Sequence, residues 1–348
     1  MLYKFLIRPL LFRFNPETAH HLTFSLLRWI RRIPGVRFMN RMLFQREVPS
    51  LRREVFGLDF PHPVGLAAGL DKNGELYNPL SDFGFSFIEI GSLTPLPQEG
   101  NPHPRLFRLP KDRALINRMG INNKGVKHAI RQLQRHHPKT LIAASLAKNA
   151  VSVGDEDILK DYVNAFSSLY DFVDFFVLNV SCPNVEGMSD LQDISYLSDI
   201  LDELLSLRLC YDVSKPILVK VSPDIEREQL DGILEYARLS GIDGIVATNT
   251  TRSREGLQTP QERIEEIGRG GLSGAPLFEK SLATVRYIHE KTQGRLPIIG
   301  VGGIMTPEQA RQMLEAGASL IEVYTGFIYE GPAFVKRILK HLENSEKK

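Results

Sequence analysis

A lysine inside an apolar run is the first residue that calls for a chemical explanation. Lys220 stands in Ile217–Val221 among isoleucine, leucine and valine. Burying an ammonium is costly unless it meets an anion or polarises a reacting group. A lysine that snorkels from a strand end is the bland alternative. Cys182, between Ser181 and Pro183 where another apolar run stops, is the candidate for reactivity. Most free cysteines are inert small core residues, and no histidine pairs with this one by position. Five asparagines (Asn117, Asn149, Asn179, Asn184 and Asn249) lie near the ends of apolar runs. That is more than turns require, and amides suit a ligand edge that mixes donors with acceptors. Gly302-Gly303, followed by Thr306-Pro307 as a helix start, suits a phosphate, although a plain tight turn would use the same residues. Lys72, taken alone, reads as a solvated loop lysine.

These residues need elements that converge. From residue 60 onward the chain repeats a short apolar run, then glycine or polar residues, then a helical stretch. The runs are Val64–Leu70, Phe85–Ile90, Leu141–Leu146, Phe175–Val180, Ile217–Val221, Gly244–Ala247, Ile298–Val301 and Leu320–Val323. Continuous apolar runs alternating with helices imply a buried parallel sheet, and eight of them favour an α/β fold closed as a (β/α)8 (TIM) barrel. A doubly wound sheet is disfavoured because no run is followed by a G-x-G-x-x-G turn. In such barrels the chemistry sits at the carboxyl ends of the strands. Here those ends read AAGLDKNG, GSLTP, AKN, NVSCPN, KVSPD, TNTT, GVGGI and YTG. The stretch Gly91–Gly125, rich in proline, is longer than an ordinary connection and reads as a functional loop.

The 348 residues accommodate one barrel plus a small appendage: a helical module over residues 1–45 and a barrel over 54–345. After Asn15-Pro16-Glu17 a helix is expected, capped by Asn15, with Leu22, Leu26, Trp29 and Ile30 at helical spacing until Pro34-Gly35. Residues 1–53 hold eleven Lys/Arg against two acids, a net of +9, so the remainder carries −7 of the overall +2. A basic segment on an acidic body points to an anionic surface. Charge alone would admit nucleic acid, but Leu2, Phe5, Leu6, Leu10, Leu11 and Phe12 fit a helix lying at a membrane interface better. No run is long enough to span a bilayer, and the N-terminus lacks a signal-peptide cleavage pattern. Two cysteines give neither a disulfide framework nor metal-ligand spacing, so a reducing compartment and no metal are expected.

The strand ends resemble those of the dihydroorotate dehydrogenase family over nearly the whole chain. The stretches that carry the resemblance are GLAAGLDKNGE, EIGSLTPLPQEGNPHPRLFRL, INRMGINNKG, NVSCPN, LVKVSPD, ATNTT, GGLSGAPL and IIGVGGI, while NPETAHHLTFSLLR resembles the N-terminal extension of the membrane-associated, quinone-using class. The resemblance implies FMN against Ala68, Gly69, Lys72, Ser92, Asn149, Asn179, Lys220, Thr248, Gly274, Gly303, Tyr324 and Thr325. It implies substrate contacts at Lys72, Asn117, Arg118, Met119, Gly120, Ile121, Asn179, Asn184, Asn249 and Thr250. It implies a quinone tunnel with His20, Arg105 and Tyr324, Lys220 near the pyrimidine end of the flavin, and a site on the cytoplasmic face of a bacterial membrane. Oxidising dihydroorotate removes a proton from C5 and a hydride from C6, so a base is needed. In the quinone-using class that base is a serine in N-x-S-S-P-N; here NVSCPN puts Cys182 there, as in the soluble class. The extension is a whole module and favours quinone. The rivals are a soluble enzyme using fumarate, NAD or a partner subunit, a Schiff-base lyase or aldolase built on Lys220, and a non-catalytic phosphate- or membrane-binding barrel.

Overall fold

The computed structural model describes residues 3–30, 32–181, 183–184 and 190–347. Eight parallel strands close into a barrel in sequence order: β1 (Val64–Leu66), β2 (Phe87–Leu93), β3 (Leu141–Leu146), β4 (Phe175–Asn179), β5 (Ile217–Val221), β6 (Gly244–Ala247), β7 (Ile298–Val301) and β8 (Leu320–Val323). All eight apolar runs are strands. The first stops at Leu66, because Ala67–Leu70 already turns away at the carboxyl face, and the second starts at Phe87.

Strand residues two apart share a face, and the inward set is graded along the barrel. Near its floor the interior holds Phe87, Phe175, Leu218 and Leu320, plugged from below by Phe60. Phe60 arrives on a hairpin, Arg53–Val55 against Leu58–Phe60, whose two-residue loop has Phe56 and Gly57 both at positive φ. That backbone matches the twist of paired strands. Two positions further along three of these strands the inward residues are Glu89, Lys220 and Glu322. Beyond them come Gly91, Ser145, Asn179, Thr248 and Tyr324. A dry base thus supports a polar mouth.

Two parts of the mouth depart from the sequence reading. The segment Gly91–Gly125 is not all loop: Leu106–Leu109 and Ala114–Asn117 form a hairpin that pairs with Gly271–Gly274 in a three-stranded antiparallel sheet. Gly274 must be glycine, since its φ is +102° and a Cβ would lie 2.4 Å from the Arg113 carbonyl oxygen. The leading segment contains three helices, α1 (Arg8–Phe12), α2 (Pro16–Ile30) and α3 (Val36–Phe44), and α3 had no expected counterpart. Asn15 Oδ1 accepts from the Glu17 N–H at 3.0 Å, as its capping role requires. The stretch between the module and the barrel is anchored: Val48 and Leu51 are buried in the main core.

Part of the positive charge of the leading segment is matched within the protein. Lys4 pairs with Glu330, Arg28 with Glu75, Arg37 and Arg41 with Asp82, Arg46 with Glu343 and Arg52 with Asp59. Asp82 is 1% exposed, so its two arginines compensate a buried carboxylate. These six of the eleven cations are thus matched within the protein and not held out for an anionic surface. What the module does present is apolar. Leu22, Leu26 and Trp29 form one exposed stripe of α2, joined by Phe5, Leu6 and Leu10 before it and Phe38, Met39 and Met42 on α3; Trp29 is 61% and Phe5 74% exposed. No described helix is long and apolar enough to cross a membrane.

Candidate active site

One cavity of about 320 Å³ opens at the carboxyl ends of the strands, within the size range of small-molecule sites. Its walls come from strand ends, the antiparallel sheet and α2, which lays His20, Phe24 and Arg28 over the mouth. The cavity gathers nearly every residue proposed from the sequence: Ala68, Gly69, Lys72, Ser92, Asn179, Lys220, Thr248, Gly274, Gly303, Tyr324 and Thr325 on the flavin side, and Asn117, Met119, Gly120, Ile121, Asn184, Asn249 and Thr250 on the substrate side.

Three proposed residues do not reach it. Arg118 turns outward, lying over the Phe107 ring and donating to the carbonyls of Ile267 and Arg269. Asn149 spends its amide on Leu96 and Gln98. Arg105 supports the module instead of lining the tunnel: it grips the Glu17 carboxylate at 2.8 Å and two backbone carbonyls. Burial would raise the Glu17 carboxyl, but Arg105 and then His103 override it and hold the pKa below the usual range. Cys182 lies outside the described residues.

The asparagines form an amide floor of two hydrogen-bonded pairs. Asn179 Nδ2 donates to Ser92 Oγ at 2.7 Å, while its Oδ1 accepts from Asn249 Nδ2 at 3.1 Å. Asn249 also donates to Ser181 Oγ at 2.9 Å, and Asn184 donates to Asn117 Oδ1 at 3.1 Å. Within each pair one amide holds the other in one orientation, which leaves a defined donor and acceptor pattern for a ligand.

Below this floor Lys220 Nζ donates to Glu89 Oε2 at 2.9 Å and lies 3.9 Å from Glu322 Oε2. Burial alone would discharge this lysine. Glu89 and Glu322 outweigh it and push the pKa up, so Lys220 stays an ammonium. That removes the Schiff-base reading, which needs a neutral amine. Glu89 and Glu322 were missed in the sequence, although each is an acid in an apolar run at an inward-facing position, the same signal that singled out Lys220.

At the phosphate end the expected residues were Gly302-Gly303 ahead of a helix start. The cavity is lined by Gly302, Gly303 and Ile304 beside Tyr324, Thr325 and Gly326. The helix start that follows is capped from within, Thr306 Oγ1 accepting from the Gln309 N–H at 3.1 Å. The N–H groups of Gly303 and Tyr324 donate to no described acceptor, which fits an anion held by backbone.

Two groups at the mouth have shifted titrations. Lys72 donates to the Gly69 carbonyl at 2.5 Å, and burial, opposed by Glu17, lowers its pKa to about 8. His20 stacks on Phe24 with its Nε2 3.0 Å from the Leu70 carbonyl. Burial and then Lys72 lower it to about 3. The ring is neutral with its hydrogen on Nε2, so Nδ1 is an acceptor.

The dihydroorotate dehydrogenase family profile matches residues 50–345. The chain belongs to this family. Among curated relatives, the dihydroorotate dehydrogenase (quinone) of Christiangramia forsetii is 49% identical, covering 97% of each chain. That of Thermosynechococcus vestitus is 45% identical, covering 98% of this chain and 96% of the relative. Crystal structures of the Eimeria tenella enzyme superpose with TM-scores of 0.83 with ferulenol bound (33% identity, 95% of this chain and 92% of that one) and 0.85 without ligand (32% identity, 96% and 95%). These matches extend through the N-terminal helices, so the module is shared with relatives named for quinone.

Proposed function

We propose that this protein oxidises dihydroorotate to orotate in pyrimidine biosynthesis, using bound FMN and passing the electrons to a membrane quinone. The observation that carries this reading is the single cavity in which a buried ammonium, an amide floor and bare backbone N–H groups meet at the carboxyl face of a family barrel. Ser92, Asn179, Lys220, Gly303 and Tyr324 would hold FMN, which when bound would supply a two-electron redox group between dihydroorotate and quinone. Its fit is supported by the polar run Ser92, Asn179 and Lys220 and by Gly69, where an added Cβ would meet only the Tyr324 ring, at 3.6 Å.

The chain's own residues do the rest. The amides of Asn117, Asn184 and Asn249 orient the pyrimidine edge, and Lys72 meets the substrate carboxylate. Cys182 takes the C5 proton; its sequence neighbours Ser181 and Asn184 both belong to the amide network. The thiol has a reference pKa of about 8.5, so it needs less help to ionise than a serine. Cys182→Ala is expected to slow dihydroorotate-driven bleaching by about 10²-fold or more with flavin content kept, and Cys182→Ser to retain some rate with its pH profile shifted upward. A wild-type bleaching rate in Cys182→Ala would move the base elsewhere.

His20 and Tyr324 line the quinone path. A neutral His20 with Nδ1 free is suited to accept a hydrogen bond from the quinol product. The exposed stripe of α2 and its neighbours dips into the lipid surface as a peripheral contact on the cytoplasmic face, held by apolar burial more than by charge.

The deciding experiment is spectroscopic. The purified protein should be yellow, bleach anaerobically with dihydroorotate and recover with a hydrophobic quinone faster than with fumarate or NAD. A colourless protein, or one that prefers fumarate, overturns the reading. Lys72 adds a pH signature. Below about pH 8 it is an ammonium and binds the substrate carboxylate; above, that charge is lost. KM for dihydroorotate should therefore rise about tenfold on crossing into alkaline pH, the difference between a charged and a neutral hydrogen bond. In Lys72→Met, KM should be high throughout and lack this step.

A further inference from the structure

The barrel interior holds two carboxylates and one ammonium. Glu89 is wholly buried and Glu322 is 1% exposed, yet among the described residues only Lys220 pairs with them. Glu89 Oε2 is satisfied twice, by Lys220 and by the Ala68 N–H at 3.1 Å. Three oxygens remain without a donor: Glu89 Oε1 and both oxygens of Glu322. The strands beside Glu322 offer nothing to help, because its register partners are Val301 and Gly65. Two ionised carboxylates would leave a buried net charge of −1 with three unpaired acceptors, the arrangement a low-dielectric interior penalises most.

We propose that Glu322 is a positioning residue that stays a neutral carboxylic acid, donating its hydrogen to Glu89, and that this proton keeps the charge of the cavity floor at zero beneath the bound ligand. One proton converts the facing oxygens from two acceptors into a donor and an acceptor. It falls on Glu322 because Glu89 has the closer ammonium and an N–H. Burial, then the neighbouring Glu89 charge, drives the Glu322 pKa well above the carboxylate range, against the pull of Lys220.

The consequence is electrostatic. Lys220 and Glu322 line the cavity that the flavin reading fills, with Glu89 bound to Lys220 beside them, and a ligand that gains electrons there gains negative charge. A neutral triad accommodates that charge, whereas an ionised Glu322 would oppose it across a few ångströms of dry protein. The protonation itself does not depend on the flavin reading; only its effect on the ligand does.

Infrared spectroscopy of the purified holoprotein tests it. At mildly alkaline pH, where Asp71 (about 6) is ionised, the wild type should show the C=O stretch of a buried protonated carboxylic acid, displaced in D2O. The band should vanish in Glu322→Gln. It should also vanish in Glu89→Gln, because removing the neighbouring negative charge lets Glu322 ionise against Lys220; a passive structural role would leave it unchanged. Flavin affinity in Glu322→Gln should stay within about threefold of wild type, since glutamine reproduces the neutral acid, whereas removing a real negative charge would shift it about tenfold or more. A wild type without the band, or a band that persists in Glu322→Gln, overturns the proposal, and should that variant misfold, the wild-type spectrum and Glu89→Gln still decide. A colourless protein that shows the band would sink the flavin reading and leave the neutral triad standing.

Discussion

Replacing Lys220 by methionine is expected to destabilise the fold by about 3 kcal/mol at neutral pH and to cut turnover by about 10²-fold. The stability loss follows from stranding Glu89 among apolar strands, since removing one partner of a buried pair leaves an uncompensated charge. The sign with pH can be stated in advance. Loss of the ammonium leaves a buried charge without its counter-ion, so the variant should be most stable in acid, where carboxylates are protonated, and lose stability towards neutral pH. Chemical denaturation from acid to neutral pH checks this. The turnover loss has a separate cause, the missing positive charge where negative charge accumulates. The double variant Lys220→Met/Glu89→Gln should therefore regain most of the stability and none of the turnover. Recovery of turnover in the double variant would make Lys220 a structural counter-ion only.

Deleting residues 1–40 is expected to separate the two half-reactions. Bleaching by dihydroorotate should continue at a similar rate, because Lys72, the amide floor and Lys220 all belong to the barrel. Turnover with a hydrophobic quinone should fall by about 10²-fold or more, since His20 and Phe24 no longer hold the acceptor over the mouth. The cut also removes Arg37 from Asp82 and Arg28 from Glu75, so the truncated protein should melt earlier. A gentler variant isolates the lipid contact. Leu22, Leu26 and Trp29 changed together to serine face outward and should leave the fold intact while weakening vesicle binding by about 10³-fold or more, given about 1.5 kcal/mol or more for each of three large apolar side chains buried in lipid. Salt should alter that binding only in part, because Arg28, Arg37 and Arg41 already have acidic partners in the protein. Strong release by salt, or quinone turnover at full rate after the deletion, would overturn the module's assigned role.

How far the sequence reaches is visible in particular residues. The eight strands were legible because a strand buried on both faces must be apolar throughout, and eight such runs separated by helical stretches leave few architectures. The helix after Asn15 was legible because its cap and its first-turn proline are local signals. Lys220 was legible because charge in an apolar run is costly. The family motifs located the cavity residues, and these converge because parallel strands deliver their carboxyl ends to one face.

Partners were not legible. The sequence held Glu89, Lys220 and Glu322 in three separated runs, and only barrel closure shows that they meet. Arg105 and Arg118 sit in motif stretches as plausibly as any cavity residue, yet one is drawn to Glu17 and the other to Phe107 and the backbone of residues 267–269, because a long flexible side chain goes to whatever acceptor the tertiary fold brings near. The net charge of the leading segment was a sequence fact, but its use was not: folding places Asp82, Glu75, Glu330 and Glu343 against those cations, and leaves apolar surface outward. Composition and spacing determined the barrel, its chemical face and the presence of a basic, amphipathic module. Which charges are neutralised, and which remain to act on a ligand, was decided by tertiary contacts, because Coulomb energy depends on distance and burial, and neither is a property of the chain order.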